Sequence, residues 1–125
     1  MVRVAAIGGR IVLCDAVASD DATQAAAFNR MERFRDPSTV EFRPLAFLTR
    51  LFADAGLRQP EQRFYQLAVE RERLISVSFP ADEDRAGLRA MLDAAVEGDP
   101  MGVGARRQGD SMWFDYSTAV LVALK

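Results

Sequence analysis

The clearest apolar segment is Ile11-Val12-Leu13-Cys14, which follows the glycine turn Gly8-Gly9 and runs into Asp15. Its apolar residues are continuous rather than alternating, and the run is too short for a helix. It predicts a strand covered on both faces, and hence an interior sheet. The segment that follows has a helical period. Ser19-Asp20-Asp21 opens a helix reaching about Arg35, with acids at its positive start and Arg30, Arg33 and Arg35 near its negative end. Ala25, Phe28, Met31 and Phe34 form its inward stripe, and Pro37 stops it. A second helix starts at Pro44 and ends at Gly56, with Leu45, Leu48, Leu51 and Phe52 inward.

Beyond Arg58 the pattern becomes β-favouring, most clearly over residues 63–69, which predict a strand. Residues 70–77 fit helix or strand. A third helix follows Pro80, with Asp82, Glu83 and Asp84 in its first turn and Leu88, Met91, Leu92 and Ala95 inward, ending before Gly98. Residues 98–100 and 102–110 carry turn residues and predict loop. Residues 112–116 and 119–124 together predict one long or bent closing strand.

Composition narrows the functional classes. A chain of 125 residues, half of them hydrophobic, suits one domain over residues 1–125 that buries roughly two-thirds of its unfolded surface. A net charge of -2 gives no argument for nucleic acid or an anionic membrane, and no apolar run approaches the roughly 18 residues of a membrane span. The single cysteine, Cys14, permits no internal disulfide and implies a reducing compartment, with the cytoplasm as the default. There is no histidine, which removes Ser/His and Cys/His nucleophile arrangements and the usual zinc ligand sets. No metal site is expected, and chemistry must come from carboxylates, hydroxyls or a cofactor.

Candidate residues are few. Asp15 stands at the carboxyl end of a strand, where ligand crevices of open α/β sheets lie, and it equally suits the start of the following helix. Met101-Gly102-Val103-Gly104 follows a helix and loop, lacks a third glycine and opens no helix, so it reads as a turn rather than a dinucleotide loop. Arg106 and Arg107 read as solvated loop charges. Trp113, Phe114 and Tyr116 read as core and sheet surface rather than a substrate cage.

The order of these segments resembles the C-terminal half of class I S-adenosylmethionine-dependent methyltransferases, in their small-molecule branch. The residues that carry the resemblance are GGRIVLCDAVA at 8–18, ERFRDPSTV at 32–40, DAGL at 54–57, SFP at 78–80 and the closing AVLVALK at 119–125. In that branch a sequence like ERLRDPSHV follows the fifth strand, and Thr39 stands here where the family has histidine. The resemblance implies an α/β fold: a truncated Rossmann-like half with a small mixed sheet of about three strands and about three helices. Its last strand inserts antiparallel between the strand at Ile11 and the strand at 63–69. It also implies that the family's N-terminal cofactor-binding half is not among these segments.

Two functions follow as expectations. In the first, the chain is the substrate-side half of a methyltransferase, inactive alone and binding no S-adenosylmethionine itself, whose cofactor-binding half is a separate chain or was lost by truncation. Asp15, Arg35, Asp36 and Ser38 are then the substrate-side candidates. They also have ordinary structural readings: Asp36 before Pro37 as a turn acceptor, Arg35 as the partner of a nearby acid. In the second, the chain is a non-catalytic binding or structural module that forms a homodimer through the edge strand from Ile11 to Cys14 or the adjacent faces. That edge carries no lysine or proline.

Overall fold

The final strand holds the middle of the sheet. In the computed structural model, which describes residues 2–125, the strands are β1 (Arg10–Ala16), β2 (Glu61–Glu70), β3 (Arg106–Gln108) and β4 (Ser111–Leu124). The helices are α1 (Ala22–Arg35), α2 (Leu45–Asp54), α3 (Arg71–Ser76) and α4 (Arg85–Ala94). β4 pairs antiparallel with β1, Ala16 lying opposite Thr118, and with β2, Glu70 lying opposite Trp113. The inserted last strand is therefore observed as the resemblance implied. β3 pairs with the start of β4 on the edge that β1 also uses, so Trp113 has Glu70 on one side and Arg106 on the other. The expected loop over 102–110 thus contains a hairpin. Its turn has Gly109 at φ 62 in the first central position, as a type II′ turn requires.

Side chains of a strand alternate between faces, which splits β4 in two. On its first face Met112 and Phe114 pack with Phe28 and Met31 of α1, Leu74 and Ile75 of α3, and Leu88 and Leu92 of α4. On its second face Ala119, Leu121 and Ala123 pack with Ile11 of β1 and with Leu48 and Phe52 of α2. The two cores lie on opposite faces and at opposite ends of β4. Each face consequently has a half without a helix layer.

This arrangement corrects the reading of the first strand. Ile11 is buried and Leu13 half-buried on the second face, but Val12 is 48% exposed and Cys14 is exposed on the first. β1 is a one-sided strand at the sheet edge because the helices over the first face do not reach past Tyr116. Val120 and Val122 of β4 and Tyr65 and Leu67 of β2 border the same bare area.

The helix ends follow local chemistry. Within the expected Ser19-Asp20-Asp21 opening, Asp21 caps α1, its carboxylate accepting from the backbone N–H groups of Thr23 and Gln24. The ambiguous segment after β2 is α3, capped by Glu70. Asp82 and Glu83 are not in the first turn of α4; both have φ 55, and Asp84 caps the helix by accepting from Gly87 N–H at 2.8 Å. Leu51, expected inward, is exposed on α2. Among the described residues no helix is long and apolar enough to cross a membrane.

The two faces predict a contrast within one strand. Leu121→Ala empties a fully buried site and should cost about 2–5 kcal/mol, whereas Val120→Thr on the bare face should cost under about 1 kcal/mol. Urea unfolding of both variants checks this.

Candidate functional site

Glu32 lies one helical turn after Phe28, which aims it at the sheet with the apolar stripe of α1. Its side chain is fully buried. A carboxylate in such a place needs partners on every oxygen. Oε1 accepts from the Tyr116 hydroxyl at 2.5 Å, and Oε2 accepts from Nε and Nη2 of Arg35 at 3.1 and 2.7 Å. Phe28 stands edge-on to Tyr116, with ring centroids 5.6 Å apart, and closes the cluster toward the core. Beside it Asn29, also buried, donates to Phe42 C=O and accepts from Phe42 N–H, tying the segment after α1 back onto the helix.

The cluster perturbs its own acids and bases. Burial pushes the Tyr116 phenol far up, and the charge of Glu32 and the hydrogen bond to it push further, while Arg35 opposes them weakly. Burial pulls the Arg35 guanidinium down, but the hydrogen bond and charge of Glu32 outweigh it and leave Arg35 more firmly protonated than usual.

Next to the cluster is a groove of about 590 Å³. Leu67 and Val69 of β2, Leu74 of α3 and Val77 form its apolar walls, Trp113 and Tyr116 of β4 line it, and Arg35 and Arg73 supply positive charge. A larger hollow of about 670 Å³ along α2 involves Asp20, Arg50 and Gln59, but none of its polar side chains is buried. The groove is the candidate site because it joins a concave apolar surface to a buried, fully partnered polar cluster.

The substrate-side candidates separate. Arg35 faces the groove and is bound to Glu32. Asp36 and Ser38 form a turn around Pro37: the Ser38 hydroxyl and then its N–H donate to the Asp36 carboxylate and hold it below the usual carboxylate range. Neither lines the groove. Asp15 is exposed on the second face of the sheet, opposite to Tyr116, and accepts from Ala16 N–H. Arg106 is paired with Asp115 at 2.6 Å rather than freely solvated. The residues that the sequence reading passed over are Glu32, which sits on the inward face of α1 three residues before Arg35, and Tyr116 as its partner.

The residues present do not fit S-adenosylmethionine. The connection from β1 to α1, residues 17–21, has no glycine, and Asp21 already occupies the amide groups at the start of α1. In the 102–104 turn, Asp99 accepts from Val103 and Gly104 N–H, and the Gln24 side chain fills the space beside Gly102. The described residues also contain no group of three or more His, Cys, Asp or Glu side chains suited to a metal ion.

No family model and no curated protein matches this chain. Solved structures do: the YcgJ protein from Bacillus subtilis, at 20% identity and TM-score 0.78, and a protein from Bacillus halodurans C-125 described as a "putative methyltransferase", at 15% identity and TM-score 0.78. The fold is methyltransferase-like. Each match covers 95% of this chain but only 52% and 56% of the other, so the chain spans about half the length of either structure. Within this methyltransferase-like unit, the buried cluster joins its first helix to its central strand.

Tyr116 gives a pH test. A phenol whose folded pKa is raised contributes stability that is present below its ordinary value of about 10 and is lost as pH rises through the raised value. The unfolding free energy should therefore fall above about pH 10, and Tyr116→Phe should remove that part of the fall while costing about 1–2 kcal/mol at neutral pH. Denaturant melts of the two proteins across this range measure both effects.

Proposed function

We propose that this chain is the substrate-side half of a small-molecule methyltransferase, holding the methyl acceptor while a separate cofactor-binding half carries S-adenosylmethionine. The reading rests on one observation above all. A unit matched over 95% of its length by folds about twice as long leaves β1 at an open sheet edge with one face bare. Such an edge and face are where another α/β layer can continue the sheet. The work of this half is positioning, since methyl transfer depends chiefly on aligning the acceptor with the donor. Its lone cysteine supports a reducing compartment, the cytoplasm, as its location.

On this reading the isolated chain transfers no methyl group and does not hold the donor. Calorimetric titration with S-adenosylmethionine at micromolar concentrations, where one site contributes about -8 kcal/mol, should give no saturation. Saturable one-to-one binding would overturn the division of labour.

The unpaired outer edge of β1 also supports a second reading, a non-catalytic homodimer in which two copies of the edge pair antiparallel about a two-fold axis. The strand offers Val12 and Cys14 on the exposed face and has no charged residue between Arg10 and Asp15. Sedimentation at tens of micromolar should then give a dimer that Val12→Pro disrupts. A monomer would sink this reading, and a dimer indifferent to the proline would sink its edge-to-edge form.

A further inference from the structure

We infer that the groove between β2, α3 and β4 binds a small monoanionic carboxylate with an aromatic or aliphatic body. At about 590 Å³ the groove is within the roughly 300–1,000 Å³ of small-molecule sites. Leu67, 59% exposed, and Val77 face water across it, with the half-buried ring of Tyr116 beside them.

Arg35 gives Nε and Nη2 to Glu32, and its Nη1 has no protein acceptor. No buried side-chain nitrogen or oxygen among the described residues lacks a partner, so Nη1 is open to solvent. Arg73 is exposed at the rim and its guanidinium forms no ion pair among the described residues. The side-chain acceptors, by contrast, are mostly used. Both Glu32 oxygens are taken, the Tyr116 hydroxyl donates to one of them, and Glu70, the one acid in the lining, accepts from Arg73 N–H at 3.0 Å. A groove with two cationic side chains that keep free donors, and with most of its side-chain acceptors occupied, suits a ligand that brings acceptors of its own. The negative charge of Glu70 favours a single carboxylate over a dianion such as a phosphate monoester.

This assignment also gives the buried pair a purpose. An ion pair out of water is a weak source of stability, but Glu32 holds Arg35 by two nitrogens and fixes the direction of the third. Glu32 is a positioning residue for the ligand. The inference rests on the substrate-side reading for its chemistry, while binding is a property of this chain alone.

Calorimetric titration of the whole chain reads occupancy of the groove as saturable heat. Phenylpropionate and its uncharged amide, phenylpropionamide, are the probes. The expected result is saturable heat with both and at least tenfold tighter binding of the acid. Arg73→Gln should abolish that preference while leaving amide binding intact, and Leu67→Gln should weaken both ligands alike; both positions are exposed, so folding is not at stake. No saturable heat with either ligand, equal binding of acid and amide by the natural protein, or a tenfold preference that survives Arg73→Gln would each overturn the inference. Failure of methyl transfer after a cofactor half is supplied would leave this titration unaltered and would count against the methyltransferase reading alone.

Discussion

The 14 residues of β4 run through the middle of the sheet, where backbone N–H and C=O groups must find partners on both edges. β2 serves one edge from Trp113 to Val122. The other edge is divided between β3 at one end and β1 at the other. Single bonds bridge the gap: Asp115 N–H donates to Val103 C=O, and Val17 N–H donates to Ser117 C=O. Those bonds anchor the 99–104 turn and the entry to α1, so the pairing of one strand sets where the helices stand. The alternation of the same strand then assigns α1, α3 and α4 to one face and α2 to the other.

From this follows the position of the candidate site. α1 crosses the first face above Phe114 and Tyr116, and its inward stripe carries Glu32 down to the Tyr116 hydroxyl. The carboxylate would be very costly there alone, and Arg35 and Tyr116 together satisfy it. Past Tyr116 the helix layer stops and the bare face begins, while the groove opens beside the cluster toward β2 and α3. The polar cluster thus marks the boundary between the closed core and the open half of the sheet.

Much of this architecture is legible in the sequence. The stripe of α1, the boundaries of α2 at Pro44 and Gly56, the strand over 63–69 and the long closing strand all follow from local periodicity and punctuation. The errors have physical causes. Ile11-Val12-Leu13-Cys14 is equally apolar whether one or both faces are covered, and the position of a distant helix layer decides which. β3 is only three residues, too short for a period, although Gly109-Asp110 carried a hairpin-turn signal. Glu32 was hidden because it looks like any surface acid of an amphipathic helix until Tyr116, 84 residues away, is placed opposite it. Asp15 and Asp36 do what the structural reading of such residues suggests, accepting from neighbouring backbone N–H groups.

The central claim is that β1 and the bare face beside it form a join for another half of a methyltransferase-like fold. Amide hydrogen exchange along β1, measured at submicromolar concentration with and without a separately expressed cofactor-binding half, tests it most directly. The account predicts slow exchange throughout residues 113–122 in both samples, and fast exchange of the outward amides of β1 that becomes slow only when the other half is added. Outward β1 amides that stay fast with the other half present, or that are already slow in the dilute chain alone, would contradict it.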